Sequence, residues 1–391
     1  MSGPLKGLRV LDLTTVVMGP LATQILGDLG AEVIKVERPG GDSNRYLSPG
    51  RNQGMSGMAM TMHRNKRSIE LNLKEPISQT VLLDLVERTD VLVHNMLPNV
   101  IESLGLQYEH LSERNPKLIY CTATGFADGG DYSGCPAYDD LIQGASGIAS
   151  LMAGAENEPA YFPGVICDKV TGLTVVYAIL AACLYREKTG LGQQITVPMF
   201  ETMLSFNLAE HASDHIFSPS EGEFGYRRVL SKNRKPYKTL DGYICVIPYT
   251  DRNWRDFFTL VGRPELVEDN RFSDIAQRTK HIDELYKIVS FSLGNKTSRE
   301  WMEIFETARI PAMPVLDLAN IENDPHIKST GFISHRTHAT QGDFKSIGVP
   351  IDFSISSPDD PKDAPTIGRD SEDILSELGY SDEQIQEICR T

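Results

Sequence analysis

The chain has 391 residues, 40% of them hydrophobic and 23% charged, which is the composition of a globular protein with room for two domains. A net charge of −15 argues against a nucleic-acid binder, and a polyanionic small ligand would need a local basic patch held against that field. No basic-then-apolar leader follows Met1 and no apolar run reads as a membrane span, so the expectation is a cytoplasmic protein with no membrane partner.

Residues 8–13 read as a short strand, and Pro20 as the start of a helix that Gly30 ends. Residues 31–37 form the next strand. This βαβ opening predicts a parallel sheet with helices on its faces. Glu37, closing the second strand, invites a dinucleotide reading, but the first turn, residues 14–19, lacks GxGxxG and supplies no glycine cradle for a pyrophosphate. Residues 39–57 read as a long loop rich in Gly, Pro, Asn and Ser, of the kind that is often functional. His63-Arg64-Asn65-Lys66-Arg67 is the densest basic cluster of the first half. It reads either as a solvated charged edge or as a phosphate site.

The alternation continues with a helix at 79–89, a strand at 90–95, a short helix after Pro98 and a strand at 117–123. Strand ends at 13–16, 37–38, 94–97 and 121–125 should therefore line one edge of the sheet, where ligands of open α/β folds bind. His94 is a candidate base there, against the commoner role of a hydrogen-bonded structural histidine. Helices follow at 138–144 and 199–211, with a strand at 193–198 between them. Residues 225–315 read as a smaller second domain, with a hairpin near Asp241-Gly242 and Arg227, Arg228, Lys232, Arg234, Lys235 and Lys238 close together. Residues 1–215 and 325–391 make up the large domain, and a last helix runs over 381–389.

Val165-Ile166-Cys167-Asp168-Lys169-Val170-Thr171-Gly172 opens a long helix that is apolar on nearly all sides, as for a helix buried inside a domain. Asp168 lies near its start, where the positive end of the helix dipole would hold it ionised, either as a helix-starting residue or as a reactive carboxylate. Cys167 is a rival nucleophile by proximity, but no histidine stands beside it to activate the thiol. The six cysteines show no metal-like spacing, so reduced thiols and no metal site are expected.

Taken in order, LRVLDLTTVVMGP, LGDLGAEVIKVERPGGD, NKRSIELNL, VLVHNMLP, LIYCTATGF, YDDLIQGASG, CDKVTGL, EKTGLGQQITVPMFE and YKTLDGYICV resemble the family III CoA-transferases, the CaiB/BaiF family. The resemblance implies a Rossmann-like large domain built from both chain ends, a smaller α+β domain and an interlaced homodimer. It implies that Asp168 is the nucleophile, forming an acyl-aspartyl anhydride and then an aspartyl-CoA thioester. Backbone N–H groups at the helix start are the expected oxyanion donors. It also assigns CoA contacts to Val17 and Met18, to Arg38, to Leu71, Asn72, Leu73 and Lys74, to Asn95, Met96 and Leu97, and to Tyr138 and Asp139. CoA and acyl-CoA enter as substrates, and no permanent cofactor is implied.

Departures from the family pattern carry information too. Ser103 and Ala137 stand where oxalate-pathway members have an arginine and a lysine on CoA, so the Arg227–Lys238 cluster is an alternative holder of the diphosphate. Tyr138 occupies the position of the racemases' histidine base, and a tyrosine is a poor base at neutral pH, so transfer is favoured over 2-methylacyl-CoA racemisation. Residues 222–242 lack the glycine run of the formyl-CoA:oxalate enzymes, and Val17 replaces their glutamine. The expectation is therefore a small carboxylic or dicarboxylic acid as acceptor, with succinyl-CoA as a plausible donor. A silent CoA-binding protein could have lost Asp168, so its presence speaks for activity.

Overall fold

The computed structural model describes residues 2–153 and 158–390. Six strands, β1 (Arg9–Leu13), β2 (Glu32–Glu37), β3 (Lys66–Glu70), β4 (Val91–His94), β5 (Ile119–Thr124) and β6 (Gln193–Pro198), form one sheet in the order β3-β2-β1-β4-β5-β6. Every pairing is parallel. Apolar residues alternate between its two faces, as the period of a strand requires. Val10, Val33 and Val91 point to one face, where helices Met18–Asp28 and Ile166–Thr189 bury Ala22, Leu26, Val175 and Ile179. Leu11, Leu13 and Leu92 point to the other, under Val81, Leu82, Ile374 and Leu375 of helices Pro76–Glu87 and Ser371–Leu378. With both faces covered, β4 is apolar and buried from Val91 to Val93, while β1 to β3 carry buried charged residues among their apolar ones.

The order reverses between β1 and β4, which leaves a crevice at their carboxyl ends. The chain's own C-terminal segment closes the β3 edge: Ser68 N–H donates to Asp370 Oδ2 at 2.8 Å and Glu70 N–H to Ser371 Oγ at 3.2 Å. Pairing in this way removes an exposed strand edge that would invite aggregation. The larger compact unit thus takes in residues up to 152, 159–206 and those from 327 onward.

The smaller unit is built on residues 207–326. Its antiparallel sheet runs β7 (Tyr237–Lys238), β8 (Tyr243–Val246), β9 (Ala312–Pro314) and rests on an aromatic core of Trp254, Phe257, Phe258, Trp301 and Phe305. Trp301 stacks on Phe305 at 5.2 Å and donates its indole N–H to Leu293 O, so its polar atom is satisfied in the core. Helices Asp251–Leu260 and Ser298–Ala308 each begin with a reciprocal capping box, Thr250 with Asn253 and Thr297 with Glu300.

Three local expectations change. The first helix starts at Met18, two residues before Pro20; as the third helical residue, Pro20 has no intrahelical partner to lose. The supposed loop 39–57 gives way at its end to helix Gly57–Met62, capped by Ser56 onto Ala59 N–H. Helix Ile166–Thr189 is 24 residues long with a mean hydropathy of 1.6 in its most apolar window, so by length and composition it could cross a membrane. Only one side of it packs on the sheet, while Leu173, Tyr177 and Leu184 are each more than half exposed. A helix uncovered on one side is not the all-round buried helix that its composition suggests.

Candidate functional site

The crevice between β1 and β4 is shaped by a strained turn. Val16 has φ 72°, a left-handed conformation that is an outlier for a β-branched residue. Such strain costs on the order of 1–3 kcal/mol and persists only where neighbours hold it. Here they do: Val16 N–H donates to Asp42 Oδ1 at 3.0 Å, and Asn44 Nδ2 donates to Val16 O at 2.8 Å. Just past β4, Asn95 clamps both backbone groups of Thr15, accepting from its N–H at 2.9 Å and donating to its O at 3.0 Å. Met18, Asn95, Met96 and Leu97 line a cavity of about 90 Å³ at this edge, together with the end of β5. A larger cavity, about 690 Å³, opens at the opposite, amino-terminal edge among Arg9, Asp90 and Arg186. Its charges are largely paired, as in Arg186–Asp90 at 3.0 Å, and α/β sheets bind ligands at the other edge.

Asp168 is the third residue of its helix, in the first turn. Gly172, one turn further along the same face, lets the helix close on the crevice: a Cβ there would stand 2.8 Å from Met18 O. Asp139, first residue of helix Asp139–Ala145, accepts Asp168 N–H on Oδ1 at 2.9 Å and Gln143 Nε2 on Oδ2 at 2.6 Å. Gln143 in turn donates to Gly164 O and accepts Phe162 N–H, which ties down the segment entering the helix. No described residue donates a hydrogen bond to the Asp168 carboxylate, and no cation is paired with it. Burial and the neighbouring Asp139 push its pKa up to about 7. The expectation of a carboxylate held ionised by the helix dipole is thereby corrected. Partial desolvation and a like charge outweigh the dipole, and the result is a basic carboxylate with free lone pairs.

Other expectations at the helix start also change. The N–H groups of Ile166 and Lys169 are bonded to Gly164 O and Val165 O, and that of Asp168 to Asp139, so these three are spent rather than free for an oxyanion. Cys167 is buried and its thiol is pushed up to about 12 by burial and by the carboxylates of Asp139 and Asp168. A thiol so far from ionising is a poor nucleophile.

Of the remaining positions expected on CoA, Arg38 is exposed at the end of β2, with Nε on Gly41 O at 3.3 Å. Leu71 is buried just past β3, Asn72 and Leu73 are half-buried, and Lys74 is exposed. Val17 is buried beside the strained turn, and Tyr138 is exposed before the Asp139 helix. These positions stand at the carboxyl ends of β1 to β4, apart from Tyr138 and Asp139, which follow β5.

The basic cluster at 63–67 is neither a solvated edge nor a phosphate site. Lys66 Nζ donates to Asp12 Oδ2, Pro20 O and Thr23 Oγ1 inside the fold, and Arg64 forks onto Asp28. Arg67 bridges Glu32 and Glu377. His63, fully buried, donates through Nε2 to Asn44 Oδ1, and its pKa is lowered by burial and nearby cations. Glu37, the residue that suggested a dinucleotide ribose, grips the buried guanidinium of Arg45 at 2.6 and 2.7 Å. His94 is buried, with Nδ1 accepting Met96 N–H and Nε2 on Thr122 Oγ1; burial lowers its pKa to about 4, so it stays neutral and structural. Sequence reasoning missed Gln143, Asp42 and Asn44. The Asp139–Gln143 pair at i, i+4 was the one available signal.

The model of CoA-transferase family III matches residues 5–371. The chain is 32% identical over 389 residues to human succinyl-CoA:glutarate CoA-transferase, covering 98% of this chain and 88% of that one. It is 31% identical to the formyl-CoA:oxalate CoA-transferase of Escherichia coli O139:H28, with 98% of each covered. Among solved structures, a CaiB/BaiF family protein from Brucella suis superposes with a TM-score of 0.82 at 30% identity, covering 97% of this chain and all of that one. The Rv3272 protein of Mycobacterium tuberculosis gives 0.81 at 28% identity, covering 96% and 99%.

Proposed function

The chain belongs to CoA-transferase family III, and from that premise we propose that it moves CoA from an acyl-CoA donor to a carboxylic acid through covalent intermediates on Asp168. The observation that carries this reading is the state of Asp168: a carboxylate with no hydrogen-bond donor among the described residues, made basic by burial and by Asp139. One of its oxygens attacks the thioester carbonyl, the C–S bond breaks, and an acyl-aspartyl anhydride and CoA thiolate result. The thiolate attacks the aspartyl carbonyl carbon, expelling the donor acid and leaving an aspartyl-CoA thioester. An acceptor carboxylate attacks that thioester to form a new anhydride, and the returning thiolate takes the acceptor's acyl group and frees Asp168. Each step exchanges one activated acyl bond for another, with no net proton uptake.

Arg38 and Lys74 carry the CoA phosphates in this reading. They are the cations at the crevice edge without an acidic partner among the described residues, whereas those at 63–67 are spent inside. Val17, Met18, Leu71–Leu73, Asn95–Leu97 and Tyr138 complete the wall. The succinyl, glutarate and oxalate named for the relatives support a dicarboxylate acceptor with succinyl-CoA as donor. The bare stripe of Leu173, Tyr177 and Leu184 supports association with a second copy of the chain, and six free thiols support a reducing, cytoplasmic setting.

The test is mass spectrometry of the protein mixed with succinyl-CoA and glutarate. Exchange should be accompanied by a CoA adduct on the peptide holding Asp168. Exchange undiminished in Asp168→Ala would sink the mechanism.

A further inference from the structure

The basic residues 228–235 of the smaller unit stand in a different position from those at 63–67. Arg228, Arg234 and Lys235 border a cavity of about 410 Å³, a volume in the range of small-molecule sites. No residue lining it is acidic, and none of the three cations has an acidic partner among the described residues. That is unusual company in a chain of net charge −15. The neighbouring Arg227 does not border the cavity and is answered by Glu223 at 3.2 Å.

The walls are apolar and aromatic. Tyr226, Tyr249 and Tyr286 face the cavity beside aliphatic side chains of β8 and the segment after it. The Arg228 guanidinium lies 5.6 Å from the centroid of the Tyr249 ring, a cation–π contact that steadies the planar fork without neutralising it. A diphosphate is usually cradled by backbone N–H groups of a glycine turn or helix start, and no glycine lines this cavity. A carboxylate on an apolar body matches what is present: a fork for the anion and aromatic faces for the rest.

We propose that the smaller unit carries a binding site for an organic carboxylate with an acyl or aryl body, with Arg228, Arg234 and Lys235 holding the carboxylate against the tyrosine-lined wall. This goes beyond the transfer reading, because non-covalent binding here needs no reaction at Asp168.

The experiment is isothermal titration of the full-length Asp168→Asn protein with benzoate, glutarate, inorganic phosphate and CoA in turn. In the Arg228→Gln/Lys235→Gln double variant, benzoate affinity should fall at least tenfold while CoA affinity moves less than twofold. Ile247→Trp, at an exposed residue of the wall, fills the cavity without touching its charge and should give the same loss. An unchanged melting temperature certifies the fold of each variant. Absence of acid binding to the parent protein, or acid binding unmoved by both variants, overturns the proposal. So does a tenfold loss confined to CoA or phosphate, which would make the cavity a phosphate site. Acyl exchange by the wild-type chain is measured separately, so failure here and failure of the Asp168 mechanism are distinguishable.

Discussion

Two carboxylates of the larger unit, Asp12 in β1 and Asp168 at its helix start, are held in opposite ways. Asp12 is fully buried and surrounded by donors: Thr14 and Thr23 hydroxyls at 2.6 Å, Lys66 Nζ at 2.9 Å, and Lys35 Nζ at 3.7 Å. Burial alone would raise its pKa, but the two ammonium groups and the hydroxyls outweigh it and hold the carboxyl far below the usual range. Asp168 is less buried, yet it ends up the more basic, because burial raises it and the neighbouring charge that acts on it, Asp139, adds to the rise instead of opposing it. A carboxylate ringed by cations has no lone pair left to use. One denied them keeps its basicity and its lone pairs. Burial therefore does not set the direction of the shift here; the sign of the neighbour does.

That contrast predicts separable phenotypes, beginning with the largest effect. Asp168→Ala should cost more than about 10⁴-fold in exchange rate, the scale expected when a covalent nucleophile is lost. Its urea midpoint should fall little if at all. Asp12→Asn should do the reverse, lowering stability by about 3–5 kcal/mol because Lys66 and Lys35 are left under-compensated in the interior. Adding Lys66→Met to Asp12→Asn should recover part of that loss, since the uncompensated charge goes with it. A urea titration showing Asp12→Asn within 1 kcal/mol of the parent would mean the buried pairs are not what holds β1 to β3.

Much of this layout was legible in the sequence. The βαβ alternation announces the parallel sheet, and the missing GxGxxG argues against the dinucleotide reading. The strand ends at 13–16 and 94–97 meet at the point where the sheet order reverses. What could not be read was the destination of charge. His63 to Arg67 and Arg228 to Lys235 look alike as strings. The first group is consumed by Asp12, Asp28, Glu32 and Glu377, which lie up to 310 positions away in the chain. In the second, Arg228, Arg234 and Lys235 meet no acid among the described residues. Long-range pairing of this kind leaves no local period or spacing behind. The same is true of Asp139 raising the pKa of Asp168 across 29 positions.

The next effect is smaller and appears in stability. The folded-state pKa of Asp168, about 7, lies above its ordinary value of 3.8, so between those values the folded chain binds more protons than the unfolded one. Stability contributed by this group therefore falls as pH rises from about 4 to about 7. Asp168→Asn removes the penalty. It should raise stability by about 1–2 kcal/mol at pH 8, discounting the shift for partial exposure, and by nearly nothing at pH 4. Chemical denaturation at the two pH values gives the difference directly. Equal effects at both would mean that the gain came from packing and not from the charge.

Asp139→Asn tests the neighbour itself. The substitution keeps an oxygen able to accept Asp168 N–H but removes the charge that, after burial, is the second cause of the raised pKa. The acylation rate of the parent protein should rise with pH through a midpoint near 7, as Asp168 loses its proton and becomes a nucleophile. In the variant that midpoint should move to lower pH, so the variant gains on the parent below pH 6. The plateau at high pH reports something else. There Asp168 is ionised in both proteins, so any rate loss measures the ordering supplied by the Asp139–Gln143 bridge. A lower plateau with an unmoved midpoint would make Asp139 a positioning residue only, and the basicity of Asp168 would then belong to burial alone.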